Sequence, residues 1–281
     1  ILFDSVPGTG KTVLSKAVAQ TVDGKFSRIQ FTPDVLPTDI TGMNMYNPKT
    51  QSFDLRMGPV NTNVLLADEI NRATPRTQSA LLEVMEERQV TIDGERVELG
   101  DLFIVLATQN PIESRQGTFD LPEAQMDRFL MKITLSYPER NEELMMLDMH
   151  RGKNAVTVNP VFTREEIMKF RKQAAEIRIN DAVKEYIIDI VQQTRNHKHT
   201  ALGVSPRGTL GLMRAGMGVA LINNRDYVTP EDIKYAAPYV LAHRIVLNIE
   251  GLTLTTGEAL IQDILNDVPV PVEFGVSRDE V

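Results

Sequence analysis

The run Ser5-Val6-Pro7-Gly8-Thr9-Gly10-Lys11-Thr12 constrains the fold more than any other segment, because it joins a strand pattern to a helix pattern. Before it, Ile1-Leu2-Phe3-Asp4 is short and mostly apolar; after it, Val13, Leu14, Ala17 and Val18 recur at helical spacing. A bound phosphate needs backbone N–H groups that close around it, a helix N-terminus aimed at it, and a Lys for the outer oxygens. Glycines permit the first, since they adopt backbone angles closed to other residues. Pro7, Gly8, Thr9, Gly10, Lys11, Thr12 and Val13 are therefore the expected phosphate cradle, with the Thr12 hydroxyl directed at Mg2+. The strict pattern has Gly where Ser5 stands, so one turn of the loop must accommodate a Cβ. A Gly-rich turn with a solvated Lys is the plain alternative.

Up to Tyr137 short apolar, β-branched runs alternate with helical patterns, as expected when parallel strands are joined by crossover helices. The expected strands are Ile1 to Asp4, Arg28 to Thr32, Val64 to Ala67, Leu102 to Ala107 and Met131 to Tyr137. Two stretches interrupt the alternation. Gly42 to Val60 contains Asn47-Pro48, and Gln89 to Leu99 places Asp93-Gly94 between two β-branched runs, a strong hairpin signal. After Pro138 helix starts dominate: Thr163 with Glu166, Asn180-Asp181, Ser205-Pro206, and Thr229-Pro230 with Asp232. This predicts an α/β domain over residues 1–137 with inserted hairpins and an all-helical domain over 138–281, with no strand between Arg164 and Leu247.

The strand Val64-Leu65-Leu66-Ala67 ends in Asp68-Glu69. Parallel strands deliver ligands at their carboxyl ends, so both acids should face the phosphate loop. Asp68 suits a water-mediated Mg2+ contact, and Glu69 can polarise an attacking water. An acidic pair in this position also serves as a helix cap. A third strand ends in Ala107-Thr108-Gln109-Asn110-Pro111, where an amide beside Glu69 can hold water in line with the outermost phosphate.

These segments look like an AAA+ ATPase, and the text from Gln30 to Tyr137 closely resembles the MoxR family. The matching segments are Gln30-Phe31-Thr32-Pro33-Asp34, Asp39-Ile40-Thr41-Gly42, Leu66 to Ala73, Ala107 to Glu113 and Leu121 to Phe129, with Gly203 to Arg207 and Tyr227 to Asp232 further on. The resemblance covers essentially the whole chain. It implies a P-loop NTPase core with a five-stranded parallel sheet, a helical lid, ATP bound between them, and a ring, usually a hexamer, with active sites at subunit interfaces. By the same resemblance Asn110 matches the first sensor. Arg128 matches the arginine finger that reaches a neighbour's γ-phosphate, and Arg207 matches the second sensor. A surface ion pair and a helix-start contact are the plain readings of the two arginines.

The hairpin segments match insertions that face a pore or a substrate in related rings, which makes Met45, Tyr46 and Phe53 contact candidates as well as hairpin packing. Asn71 and Arg72 are candidates to reach an adjacent subunit. His197 and His199 sit in a polar segment that reads as a solvated turn, and Met145-Met146 and Met213 with Met217 read as core filler. The chain opens inside a strand, which predicts that the natural N-terminus lies upstream, together with the family's adenine contacts.

Composition selects among functions. Net charge is −8 and the hairpins offer only Lys49, Arg56, Arg88 and Arg96 as bases, which weighs against a DNA-acting motor that shares the same insertions. Zero Cys removes thiolate metal sites and Cys nucleophiles. No apolar run of membrane-spanning length occurs, so the expected location is cytoplasmic, without membrane insertion. The leading expectation is an Mg2+-dependent ATPase that acts as a chaperone-like remodeller, maturing or activating protein clients. The resemblance implies von Willebrand factor A domain proteins as partners. A nucleotide-gated binding module is the second reading, but it has no need of Glu69 or Arg128.

Overall fold

The computed structural model describes residues 1–5, 8–109, 118–151 and 158–271. Two compact units divide the chain, Ile1–Lys169 and Phe170–Val281.

The first unit begins with β1 (Leu2–Ser5) and α1 (Lys11–Thr21), followed by β2 (Phe26–Gln30) and the short α2 (Pro37–Thr41). A hairpin, β3 (Gly42–Asn47) and β4 (Ser52–Met57), precedes β5 (Val64–Asp68) and α3 (Pro75–Glu87). A second hairpin, β6 (Gln89–Ile92) and β7 (Glu95–Glu98), leads to β8 (Ile104–Gln109), α4 (Glu123–Met126), β9 (Lys132–Leu135) and α5 (Arg140–Arg151). Five strands form one parallel sheet in the order β2-β5-β8-β1-β9, the five expected from the sequence with ends shifted by one or two residues. The sheet is buried on both faces, which is why its strands read as unbroken apolar runs: all five residues of β5 are buried. One face packs Leu65, Ala67, Ala107, Phe31 and Phe129. The other packs Phe3, Leu66 and Leu106 against Ala19 of α1 and Val22 just beyond it.

This alternation fixes the site. On β5 the face toward α1 carries Val64, Leu66 and then Asp68; on β8 it carries Leu106 and then Thr108; on β2 it carries Phe26, Arg28 and Gln30. Polar residues thus replace apolar ones at the carboxyl end of the same face. The hairpins form as expected. Asp93 and Gly94 have φ of 50° and 89°, the pair of left-handed residues that a two-residue turn between twisted strands requires. Tyr46 and Phe53 are registered across β3 and β4, with ring centroids 5.4 Å apart, and both stay exposed, so cross-strand packing and surface display coexist there.

The second unit contains most of α6 (Arg164–Glu176), then α7 (Asp181–Asn196), β10 (Thr200–Leu202), α8 (Pro206–Ile222), α9 (Pro230–Leu241), β11 (Val246–Leu247), α10 (Ile249–Leu254) and α11 (Gly257–Asp267). The expected starts are present: Asn180 and Ser205 accept N–H groups from Val183 and Gly208, and Thr229 forms a reciprocal capping box with Asp232. One feature corrects the all-helical expectation: β10 and β11 pair antiparallel. Their few residues are too short to show any alternation. The same ribbon buries His199, whose carbonyl accepts the Asn248 N–H, so this segment is not a solvated turn. Met145 and Met146 also depart from expectation, lying exposed on α5, whereas Met213 and Met217 are half-buried. No helix of the described residues is long and apolar enough to cross a membrane.

Candidate active site

The loop after β1 turns on two glycines, Gly8 at φ 85° and Gly10 at φ 84°. Both angles lie in the left-handed region, which costs other residues about 1–2 kcal/mol, and no atom lies within 4 Å of a Cβ built at either position. The glycines therefore serve backbone shape, leaving open space over the loop. Gly10 caps α1 without a side-chain bond, and the first helical bond runs from Leu14 N–H to Gly10 O at 3.0 Å. The N–H groups of Lys11, Thr12 and Val13 precede that bond and point toward the loop. No acid occupies the first turn to compete for them. Ser15 is buried and ties its hydroxyl to Lys11 O at 2.9 Å, fixing the turn that carries Lys11. Val13 is 72% exposed, so of the cradle residues it contributes only backbone. Pro7 lies outside the described residues.

At the end of β5 the acidic pair is held by β8 and β2. The Thr108 hydroxyl donates to Asp68 Oδ1 at 2.7 Å and accepts the Glu69 N–H at 2.9 Å, so one buried side chain positions both acids. Asp68 Oδ2 accepts from Arg28 Nη2 at 2.6 Å and Nε at 3.2 Å. Glu69 itself is left-handed at φ 58°, which lifts it out of the strand direction. Its Oε2 meets Gln30 Nε2 at 2.9 Å and Arg72 Nε at 3.0 Å. Arg28, Gln30 and Thr108 thus belong to the site, although the sequence assigned them no role. Asn71 is 3% exposed, which removes its side chain from any subunit surface, while Arg72 turns back onto Glu69.

The remaining expected residues belong to other segments of the chain. Asn110 follows Gln109 at the end of β8 and lies outside the described residues. Arg128 follows α4, its backbone fixed by the fully buried Phe129, and its Nε lies 3.4 Å from Glu86 Oε2 beside a cleft of about 230 Å3 lined also by Ser79, Glu83 and Gln125. Arg207 stands exposed in the first turn of α8, in the second unit.

Hard oxygen donors from one or two side chains suit Mg2+, which keeps waters and takes substrate phosphates instead of an all-protein cage. Asp68 and the Thr12 hydroxyl are donors of that kind, and among the described residues no group of three His, Asp or Glu side chains could hold an ion alone. The residues present therefore fit a cation shared with a nucleotide.

The model of the ATPase family associated with various cellular activities (AAA) matches residues 1–131, and that of the AAA lid domain matches 192–264. The chain is 48% identical to the uncharacterized protein YeaC of Bacillus subtilis, covering 99% of this chain and 87% of that one. It is 41% identical to the Chaperone MoxR1 of Mycobacterium tuberculosis, over 96% of this chain and 74% of the relative. Protein MoxR of Paracoccus denitrificans is 31% identical over 96% of this chain and 87% of its own. A crystal structure described as that of a candidate ATPase from Cytophaga hutchinsonii superposes with a TM-score of 0.89 at 40% identity, covering 96% of this chain and 85% of the other. The chain belongs to the MoxR family of AAA+ ATPases.

Proposed function

We propose that this protein binds ATP with Mg2+ and hydrolyses it to ADP and phosphate, and that it works as a ring, of six subunits by the family resemblance, that remodels protein clients. The observation that carries the reading is the convergence of strand ends. β1 delivers the Gly8–Gly10 loop into α1, β5 delivers Asp68 and Glu69, and β8, lying between them, supplies Thr108.

In this reading the N–H groups of the loop and of the first turn of α1 bind the phosphate oxygens, and Lys11 meets the outer ones. Thr12 and Asp68 would hold Mg2+, which when bound would supply positive charge against the phosphate oxygens. Glu69 takes the proton of the attacking water on a carboxylate oxygen, while Gln30 and Arg72 fix that carboxylate in place. Asn110 orients the water. Arg128 of one subunit reaches the γ-phosphate of the next, and Arg207 couples that phosphate to the helical unit.

The chaperone name of the 41% identical relative supports client remodelling. The exposed Met45, Tyr46 and Phe53 of the first hairpin are the proposed client contacts, and von Willebrand factor A domain proteins are the partner class. Mg2+-dependent phosphate release by the wild type and by Glu69→Gln tests the enzymatic part. Equal or absent release in both overturns it. For the client part, a pull-down on Glu69→Gln loaded with ATP should retain a protein that ADP releases.

A further inference from the structure

Arg28 is a charged residue on a strand whose neighbours on the same face become apolar one step back, so its position needs a reason. It lies on β2, an edge strand, with 43% of its side chain exposed. The exposure would let the guanidinium extend into solvent. Instead it folds along the sheet end and makes three hydrogen bonds: Nη2 and Nε both donate to Asp68 Oδ2, at 2.6 and 3.2 Å, and Nη2 also donates to Gln30 Oε1 at 2.6 Å. The Gln30 amide then donates to Glu69 Oε2 at 2.9 Å. A continuous path therefore runs from the carboxylate assigned to the cation, through Arg28 and Gln30, to the carboxylate assigned to water.

Thr108 donates to Oδ1 of Asp68 and Arg28 places two bonds on Oδ2, so the guanidinium occupies the acceptor positions of Oδ2 that a cation at this carboxylate, directly or across a water, would use. A guanidinium and a divalent cation at the same oxygen repel each other, with a strength that falls only as the inverse of their separation in a partly desolvated site. Neither can be held at full strength while the other stays. Movement of Arg28 away from Oδ2 also loosens its grip on Gln30, and Gln30 is one of the two groups that orient Glu69. From this geometry we infer that Arg28 is a positioning residue that competes with the divalent cation for Asp68 and, through Gln30, ties the cation's arrival to the setting of Glu69. The inference rests on the assignment of Asp68 to the cation and extends it.

Mn2+ is the probe, measured by the loss of its free electron-paramagnetic-resonance signal as it binds to the full chain saturated with a non-hydrolysable ATP analogue. Arg28→Ala removes the competing charge and should tighten Mn2+ about tenfold, in keeping with the loss of one like charge at contact distance. Arg28→Gln, which keeps a polar side chain on the strand, should tighten it in the same direction and guards against misfolding of the Ala variant. Asp68→Asn should weaken Mn2+ binding. A purely structural Arg28 would leave Mn2+ affinity unchanged or, by disordering Asp68, reduce it. Either result in both Arg28 variants, with Asp68→Asn weakened, overturns the role of Arg28 and leaves the cation assignment standing. Mn2+ binding that is unaffected by Asp68→Asn overturns the assignment and the inference with it.

Discussion

Thr108 and Asp68 meet side chain to side chain in the interior, the hydroxyl donating to Oδ1 at 2.7 Å while its oxygen receives the N–H of Glu69 at 2.9 Å. Thr108→Val keeps the shape and removes both bonds, leaving a buried carboxylate oxygen and a backbone N–H without this partner. Such losses cost about 1–3 kcal/mol, so the variant should unfold at lower denaturant and turn over ATP more slowly. Thr108→Ser should restore both. Denaturant melts beside steady-state phosphate release check it; a Val variant with unchanged turnover would show that neither acid depends on Thr108.

Gly10→Ala puts a Cβ into open space but at φ 84°, so its cost is conformational, about 1–2 kcal/mol, and falls on the loop geometry. ATP affinity, read from the fluorescence of a labelled nucleotide, should fall about five- to thirty-fold if the whole of that cost falls on binding. Global stability should change little. An unaltered affinity would mean that the loop's shape does not hold phosphate.

In the helical unit, Arg225 holds Asp232 with two short bonds, 2.7 and 2.5 Å, and Asp232 also closes the Thr229 cap. Burial alone would raise the Asp232 carboxyl, but the Arg225 guanidinium and the Thr229 N–H outweigh it and bring it below its usual 3.8. A lowered folded value means that the contribution is fully present above pH 3.8 and is lost as pH falls through the folded value. Arg225→Ala should lower stability by about 2 kcal/mol near neutral pH, with the gap to wild type closing below the usual carboxylate range. Thermal melts across pH 2.5 to 7, on the order of the window linkage sets, follow it. A gap that widens toward acid would contradict the sign.

Arg128→Ala should leave ATP affinity near normal and cut turnover on the order of 10³-fold, as loss of a trans arginine does. Glu69→Gln should also be inactive. A mixture of the two should recover activity, because a subunit with intact Glu69 then sits beside one with intact Arg128. No recovery at any ratio would place Arg128 with its Glu86 contact, as a surface ion pair only.

The sheet and the acidic pair were legible in the sequence because burial on both faces writes itself as apolar runs, and polar residues at their ends then stand out. Asp93-Gly94 announced its hairpin through backbone angles that few residues adopt. Arg28 and Gln30 were not assigned, since a basic residue in an apolar strand names no partner until the sheet order sets β2 beside β5. Their spacing of two, which puts them on one face, was the available signal. The ribbon of β10 and β11 left no pattern, being held by register across a long chain separation. Exposure of Met145 and Met146 is likewise a tertiary property, since helical spacing alone does not tell core from surface.

The central claim, that the loop at Lys11 binds ATP and Glu69 drives its hydrolysis, is tested most directly by measuring ATP affinity and turnover together in Lys11→Ala and Glu69→Gln. Lys11→Ala should lose both. Glu69→Gln should bind ATP as the wild type does while turnover falls about 10²- to 10⁴-fold, the usual cost of removing a general base. Wild-type turnover in Glu69→Gln, or unimpaired ATP binding in Lys11→Ala, would contradict the account.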